Sequence, residues 1–140
     1  MKQISTFEQY KAAYQSSIEN PEKFWGEVAL DFTWRKTWDK VLQWNFTEPT
    51  IEWFAGGECN LTENCIDRHL HLKPRQPALI WEPNNPIEDS RTITYAQLHS
   101  MVCSFANALV NLGVKPGHRV CIYMPMIPET AIAMLACARI

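Results

Sequence analysis

The chain has 140 residues, of which 46% are hydrophobic and 20% charged, and its formal net charge is −2 at pH 7. This composition predicts a globular domain with a core, and the slightly acidic balance excludes the basic surface of a nucleic-acid-binding or anionic-membrane-binding protein. The longest nearly uncharged apolar run, AIAMLACA, is too short to span a bilayer. The polar start, MKQISTFEQYK, lacks the apolar segment of a signal peptide. We therefore expect a cytoplasmic protein.

The cysteines favour reduced thiols over a disulfide framework. There are five, an odd number, and three lie in apolar stretches, as small hydrophobic side chains do. These three are Cys103, Cys121 and Cys137. Cys59 and Cys65, which precede His69 and His71, are spaced more widely than paired zinc ligands usually are. A helix with a buried cysteine is therefore the preferred interpretation, and a metal site the alternative.

The first part of the chain, about residues 1–75, is rich in aromatic side chains. The stretch TFEQYKAAYQSSIEN has the spacing of an amphipathic helix. Its apolar face would carry Phe7, Tyr10, Tyr14 and Ile18. Asn20 is expected to cap a second helix that begins at Pro21.

Three further stretches follow in this part. FTWRKTWDKVLQWNF is ambiguous between strand and irregular structure, TIEWF is strand-like, and Gly56 with Gly57 predicts a turn. Five of the six tryptophans lie here. An aromatic binding groove is one interpretation. We prefer the other, in which the rings anchor an extended wrapping segment onto a larger body, because large aromatic side chains contribute much of the burial energy of cores and interfaces.

Asn60 is expected to cap a helix over LTENCIDRHL, with Leu61, Cys65 and His69 on one side. The same stretch brings Glu63, Asp67, Arg68 and His69 close together. A catalytic role for this cluster is the less favoured interpretation, because Glu63 and Asp67 form a like-charged pair typical of a solvated face. Asp67 is expected to pair with Arg68 or His71.

The second part, about residues 76–140, has an α/β pattern. PALIWE and TITY predict short strands, and Thr94 with Gln97 gives the signature of a capping box. The helix that follows should end at Gly113, since Pro116 prevents its continuation. Its apolar residues recur every three or four positions. They are Tyr95, Leu98, Val102, Phe105, Leu109 and Leu112.

RVCIYMP is nearly uninterrupted apolar sequence, which predicts a strand covered on both faces. Strand, helix and strand in this order predict a parallel βαβ unit and the α/β fold class. Pro128 would open a last helix, with Glu129 near the positive end of its dipole. Ile132, Leu135, Ala136 and Arg139 follow at helical spacing. This apolar helix has no capping signal at its end and needs packing partners that the chain does not offer, so we expect an incomplete domain.

Two turns are candidate ligand sites. VKPGHR, with Lys115, His118 and Arg119, lacks the glycine-rich run of a phosphate loop and precedes a strand, whereas ligands gather beyond the carboxyl ends of parallel strands. A solvated turn is expected. In MPMIPE prolines replace the glycines that would expose N–H groups to phosphate, and Met126 and Ile127 offer only apolar contact. Hydrolase, zinc-protease and dinucleotide motifs do not occur.

Three stretches together resemble the amino-terminal region of the AMP-forming acetyl-CoA synthetases, in the adenylate-forming (acyl-CoA synthetase) superfamily. They are Trp53–Leu70, the joining PALIWEPNNP, and Ile93–Ile140. The runs NCIDRHL and YMPMIPE are typical of the acetate and propionate branch. His118 stands where the superfamily often has Asp, and Cys59 where an apolar residue is expected.

This resemblance implies a two-step ligase reaction, in which acetate and ATP give acetyl-AMP and the thiol of coenzyme A then displaces AMP. The full-length enzyme would use ATP, CoA and Mg²⁺, and the partner of this chain would be the remainder of the synthetase. The phosphate-binding loop, the Mg²⁺-binding acid, the acyl pocket and the catalytic lysine of the family do not occur here. The resemblance therefore implies no catalytic, cofactor-binding or metal residue in this chain.

On this basis we expect residues 1–75 to be an amino-terminal wrapping segment of the acetyl-CoA synthetase type. Residues 76–140 are expected to be the start of the AMP-binding α/β domain. We expect an amino-terminal fragment that is inactive alone. The alternatives are a stand-alone interaction module that docks on a synthetase body, and a fragment of a propionyl-CoA synthetase.

Overall fold

The computed structural model describes residues 3–140 and divides into two compact units, Met1–Cys59 and Asn60–Ile140. Both units combine helices with a small sheet, which confirms the α/β class. The structure divides between Cys59 and Asn60, which is earlier than residue 75. The change from wrapping segment to AMP-binding domain at about residue 75 stays a prediction. Among the described residues, no helix is long and apolar enough to cross a membrane.

The first unit contains helix α1 (Phe7–Glu19), helix α2 (Pro21–Ala29) and a hairpin of β1 (Lys40–Asn45) with β2 (Thr50–Ala55). The predicted first helix is confirmed, and Thr6 starts it with a capping box. None of its residues is buried, and its apolar side chains lie 52–64% exposed along one face. Helical spacing thus predicted the helix but not a covered face.

Asn20 precedes α2 as predicted, but its side chain does not cap the helix. The backbone of Asn20 has φ −134° and ψ 62°, outside the extended conformation that usually aims a capping side chain at the first turn. Its backbone N–H instead donates to the carbonyl of Ser16 at 3.0 Å and so closes α1.

Aromatic rings pack against one another in the first unit. The ring centroids of Trp34, Trp38 and Phe54 lie 4.9–5.3 Å apart. Trp34 Nε1 also donates to the carbonyl of Ala29 at 2.9 Å. Gly57 lies so close to Trp34 that an added Cβ would stand 2.8 Å from its ring. These tryptophans therefore contribute to the core of this unit, and anchoring onto a larger body stays a prediction.

The second unit is built around the antiparallel pair β3–β4 and two long helices. Its elements in order are a π-helix (Glu63–Asp67), α3 (Arg68–Leu70), β3 (Pro77–Trp81), β4 (Arg91–Thr94), α4 (Tyr95–Asn111) and α5 (Pro128–Arg139). One buried cluster joins the π-helix, β4, α4 and α5. Its members are Ile66, Ile93, Leu98, Val102, Ala106, Ile132 and Ala136.

Helix α4 begins and ends as predicted. Thr94 and Gln97 form the capping box, and Gly113 has φ +90°, a conformation that glycine adopts without steric cost. The buried face differs from the prediction, because Phe105 is 39% and Leu112 82% exposed while Ala106 is buried. The buried residues of α4 are Leu98, Val102 and Ala106, which are four positions apart and share one cluster with residues of α5. The small side chain of Ala106 allows the two helices to pack closely at that point.

Helix α5 begins at Pro128 as predicted, but the expectation that it lacks packing partners and a cap is wrong. Helix α4 covers one side of it and buries Ile132 and Ala136. The side-chain amide of Asn60 donates to the carbonyl of Ala138 at 3.1 Å. The cap comes from a residue 78 positions away in sequence, which is why no local signal announced it.

The predicted parallel βαβ unit does not form among residues 3–140, since β3 and β4 pair antiparallel and residues 118–125 lack regular secondary structure. The predicted burial of this last segment on both faces is also wrong. Tyr123 is 99% exposed and Val120 38%. A strand forms only beside another strand that hydrogen-bonds to its backbone. Among the described residues no backbone group bonds to the backbone of residues 119–124, so this segment is not a strand here.

Candidate functional site

A polar cluster connects the end of α5 to the π-helix. Arg139 makes a bidentate pair with Asp67, with Nη1 donating to Oδ1 at 3.1 Å and Nη2 to Oδ2 at 3.0 Å. Its Nη1 also donates to Thr62 Oγ1 at 3.1 Å. The Thr62 side chain is fully buried, and the side chains of Arg139 and Asp67 are 24% and 29% exposed. Planar bidentate geometry of this kind fixes orientation as well as adding energy.

The pKa of the Arg139 guanidinium is raised above its ordinary value, chiefly by the hydrogen bonds to Asp67, while burial works in the opposite direction. Arg139 therefore keeps its charge at all physiological pH values. It serves as a fixed cation for Asp67 and cannot exchange a proton with a substrate.

Asn60 is bonded at both ends of its amide. Its Oδ1 accepts from the backbone N–H of Thr62 at 2.9 Å, which confirms the predicted cap at the start of this helix. Its Nδ2 donates to the carbonyls of Ala138 and Arg139 at 3.1 and 3.4 Å. One side chain thus satisfies backbone groups at the beginning of one helix and the end of another.

His99 and Cys103 of α4 border the cluster. The Nε2 atom of His99 lies 3.6 Å from Asp67 Oδ1, 3.4 Å from Arg139 Nη2 and 3.5 Å from Cys103 Sγ. A Cys–His–Asp relay needs one ring nitrogen for the thiol and the other for the carboxylate. Because all three neighbours meet the same nitrogen, this cluster cannot activate Cys103 as a nucleophile.

The acidic and basic residues predicted on the 61–70 helix have different partners from those expected. The expected pairing of Asp67 with Arg68 or His71 is wrong, because Arg139 occupies both carboxylate oxygens. Arg68 donates instead to Asn64 Oδ1 at 3.4 Å. The missed partner lies 72 residues away, so only the packing of α5 could have revealed it.

The buried face of this helix is also displaced by one residue from the prediction. Thr62 and Ile66 point into the core, whereas Leu61 is 62% exposed. Cys65 packs against the edge of the core, and burial raises the pKa of its thiol. His69 lies against the Tyr95 ring at 5.0 Å, and desolvation, followed by Lys73 and Arg68, lowers its pKa. Across residues 3–140 no group of three or more His, Cys, Asp or Glu side chains suits a metal ion.

Hydrogen bonds hold both of the turns that are candidate ligand sites, and in the second turn they come from neighbouring elements. The backbone N–H of Lys115 donates to His118 Nδ1 at 3.4 Å, and the turn is exposed, which confirms the predicted solvated turn. In the MPMIPE turn the carbonyl of Met126 accepts from Trp81 Nε1 at 2.7 Å, and that of Pro125 from Thr130 Oγ1 at 2.7 Å. These carbonyls position the turn.

A shallow groove of about 430 Å³ lies beside β4 and the start of α4. It is lined by Arg91, Thr92, Ile93, Gln97, Ser100 and Met101. The one charged side chain of this lining, Arg91, donates to Glu129 Oε1 at 3.0 Å. The pKa of Glu129 is lowered, first by a backbone hydrogen bond and then by Arg91. The groove therefore offers a neutralised ion pair and apolar surface rather than a reactive group.

Comparison with known proteins places this fold. Residues 10–65 match the family model for the acetyl-coenzyme A synthetase N-terminus, and residues 66–140 match the model for AMP-binding enzymes. The acetyl-coenzyme A synthetase of Bdellovibrio bacteriovorus is 54% identical over 94% of this chain, and that of Saccharophagus degradans 54% over 95%. The matched region is 20% and 21% of those relatives.

Among solved structures, an acetoacetyl-CoA synthetase from Streptomyces lividans matches with a TM-score of 0.82 and 32% identity. The match covers 92% of this chain and 20% of that one. The chain thus spans about a fifth of the length of the relatives it matches. It belongs to the AMP-binding enzyme family and corresponds to the amino-terminal part of acetyl-coenzyme A synthetases.

Proposed function

We propose that this chain is the amino-terminal part of an AMP-forming acetate–CoA ligase of the cytoplasm. The carboxylate of acetate attacks the α-phosphorus of ATP, releasing pyrophosphate and forming acetyl-AMP; the thiol of coenzyme A then attacks the acetyl carbon and AMP leaves. The observation that carries the proposal is 50–54% identity to acetyl-coenzyme A synthetases along 94–98% of the chain. The five free cysteines fit a reducing compartment.

We further propose that this part is inactive by itself. Phosphoryl chemistry needs groups that hold the phosphates and neutralise the developing charge. Two basic side chains of the second unit are already committed, Arg139 to Asp67 and Arg91 to Glu129. We therefore assign no step of the reaction, and no contact with ATP, CoA or Mg²⁺, to a residue of this chain. Its role is to complete the body on which the remainder of the synthetase builds its site.

The test is acetate-dependent exchange of labelled pyrophosphate into ATP. Three samples are compared: this chain alone, the Bdellovibrio bacteriovorus synthetase without its matched region, and a fusion in which this chain replaces that region. We expect exchange only from the fusion. Exchange by the isolated chain would contradict the inactive role. A stable, folded fusion without exchange would contradict the ligase assignment.

The same assay separates acetate from propionate as the substrate. A pocket distinguishes acids that differ by one methylene by about 1–3 kcal/mol, or roughly 10- to 200-fold in kcat/KM. The names of the relatives favour acetate. Because no pocket residue is assigned to this chain, the ratio should be that of the Bdellovibrio bacteriovorus enzyme. A ratio changed by tenfold or more would place part of the pocket in this chain.

A further inference from the structure

Residues 68–75, RHLHLKPR, form a basic turn between the π-helix and β3. Its basic side chains are those of Arg68, His69, His71, Lys73 and Arg75. No Asp or Glu occurs between Asp67 and Glu82, and both carboxylate oxygens of Asp67 already bind Arg139. The basic turn therefore concentrates positive charge in a chain whose net charge is −2.

The basic turn is fixed against the start of α4. The carbonyls of Gln76 and Pro74 accept hydrogen bonds from the first two backbone N–H groups of that helix, at 3.1 and 3.0 Å. The ring of Tyr95 lies 5.0 Å from the ring of His69, and Lys73 Nζ lies 5.4 Å from the centroid of the Tyr95 ring. The first turn of α4 contains no acidic residue, so the positive end of its dipole adds to the charge of the basic turn. These contacts hold the cations in one place, which lowers the conformational cost of binding an anionic partner.

Two cations of the basic turn are available to another molecule. Arg75 is exposed and Lys73 is half-buried. Within residues 3–140, neither of them pairs with a carboxylate. The pKa of His69 is lowered first by desolvation and then by Lys73 and Arg68, as a positive surrounding predicts. Lys73 and Arg75 can therefore pair with carboxylates that another molecule brings.

The apolar side chain of Leu72 lies among these charges and is 86% exposed. A peptide with several acidic residues and one apolar residue complements both features, because its carboxylates meet the cations and its apolar side chain covers Leu72. An inorganic anion would leave Leu72 uncovered. A nucleic acid or an anionic bilayer requires basic side chains along a whole face, which does not fit a net charge of −2. Charge and shape together favour the acidic peptide.

We propose that the basic turn is a docking surface for an acidic segment of another protein, whose carboxylates pair with Lys73 and Arg75 and whose apolar side chain covers Leu72. This goes beyond the proposed function and does not rest on it, because no step of the ligase reaction is assigned to these residues. Exposed charges dominate the contact, so the association is steered by electrostatics and weakened by salt.

The test is fluorescence anisotropy of a labelled peptide, Glu-Glu-Leu-Glu-Glu. It is titrated with the fusion to the remainder of the Bdellovibrio bacteriovorus synthetase and, in parallel, with the isolated chain. We expect saturable binding to both proteins. The dissociation constant should rise at least about threefold between about 0.01 and 0.15 M salt, because the Debye length falls from about 30 to 8 Å. A Gln-Gln-Leu-Gln-Gln peptide should bind at least about tenfold more weakly, since it lacks the carboxylates.

Matched variants locate the binding surface. Lys73→Gln with Arg75→Gln removes two charges from the basic turn and should weaken binding of the acidic peptide about tenfold. Lys115→Gln with Arg119→Gln removes two charges from the other solvated turn and should leave the affinity unchanged. Leu72→Ser should weaken binding of Glu-Glu-Leu-Glu-Glu but not of Glu-Glu-Gly-Glu-Glu, which has no apolar side chain to cover Leu72.

A carbodiimide cross-link gives a second reading that needs no variant. The reagent joins a carboxylate of the bound peptide to a lysine Nζ as an amide, and peptide mapping identifies that lysine. The cross-link should form at Lys73 and at least about tenfold less at Lys115, because a bound carboxylate reacts faster with the amine that it contacts. Equal cross-linking at both lysines would contradict a defined docking surface.

The outcomes separate the docking surface from the ligase assignment. An active fusion that does not bind the acidic peptide would overturn the docking surface alone. An inactive fusion that binds it at the basic turn would support the docking surface and contradict the ligase assignment. Binding by the isolated chain but not by the folded fusion would show that the remainder of the synthetase covers the turn, which overturns the proposal. Inorganic phosphate that binds as tightly as the peptide and displaces it would show a general anion site and also overturn it.

Discussion

Removing Arg139 tests whether the polar cluster holds α5 in place. In Arg139→Met the aliphatic stem of the side chain remains, but both oxygens of Asp67 and the hydroxyl of Thr62 lose their donor. The Asp67 carboxylate, whose side chain is 29% exposed in the unchanged chain, then keeps only the His99 ring nitrogen, at 3.6 Å, of the basic groups described around it. Exposed pairs contribute about 0.2–1 kcal/mol, and breaking fully buried ones costs about 3–5 kcal/mol. The contribution of the half-buried Arg139–Asp67 pair should lie between these limits. We expect about 2 kcal/mol, because hydrogen bonds to charged groups contribute about 1.5–3 kcal/mol.

The measurement is a double-mutant cycle of Arg139→Met, Asp67→Ala and the double variant, followed by circular dichroism in urea. A coupling of about 2 kcal/mol equals about a 30-fold change in the unfolding equilibrium. Single variants should lower the midpoint of thermal unfolding by roughly 10 °C in a unit of this size. The exposed pair of Arg91 and Glu129 is the matched control, and its coupling should be about 0.5 kcal/mol. Equal couplings in the two cycles would refute the reasoning, since α5 would then be held by apolar contacts alone.

Three further outcomes are expected. Cys59 is exposed, whereas burial raises the pKa of the Cys65 thiol, so maleimide at pH 7 should label Cys59 before Cys65, as peptide mapping would show. Leu98→Ala should destabilise the second unit by about 2–5 kcal/mol in urea unfolding, because Leu98 is 5% exposed in the α4–α5 core. The lowered pKa of Glu129 stabilises the fold above about pH 4.5 and this contribution fades as pH falls through the folded-state pKa. Glu129→Gln should therefore match the unchanged chain in thermal midpoint at the most acid pH and fall slightly below it near neutrality.

Local rules predicted the ends of α4 and the start of α5 well. Thr94 with Gln97, Gly113 and Pro128 were each assigned from three or four neighbouring residues, and each stands where the sequence placed it. Capping and turn chemistry depend on backbone groups within one helical turn, so the sequence contains all the necessary information.

Contacts between distant residues could not be predicted in the same way. Arg68 and His71 lie close to Asp67 in the sequence, and local reasoning selected them as its partners. The actual partner, Arg139, reaches Asp67 only because α5 packs on α4 and ends beside the π-helix. The amide of Asn60 shows the same limit, since its bond to the carbonyl of Ala138 needs that packing first.

The polar cluster and the segment 119–124 are two contrasting regions of the second unit. At the end of α5 three residues of the stretch 60–67 satisfy its polar groups: Asn60 donates to the carbonyls, Asp67 pairs with Arg139, and Thr62 accepts the remaining donor. Between 119 and 124 the backbone and apolar side chains are unsatisfied. The packing of α5 on α4 therefore brings the polar groups at the end of α5 to partners in the stretch 60–67, whereas the segment that precedes α5 has no backbone partner among the described residues.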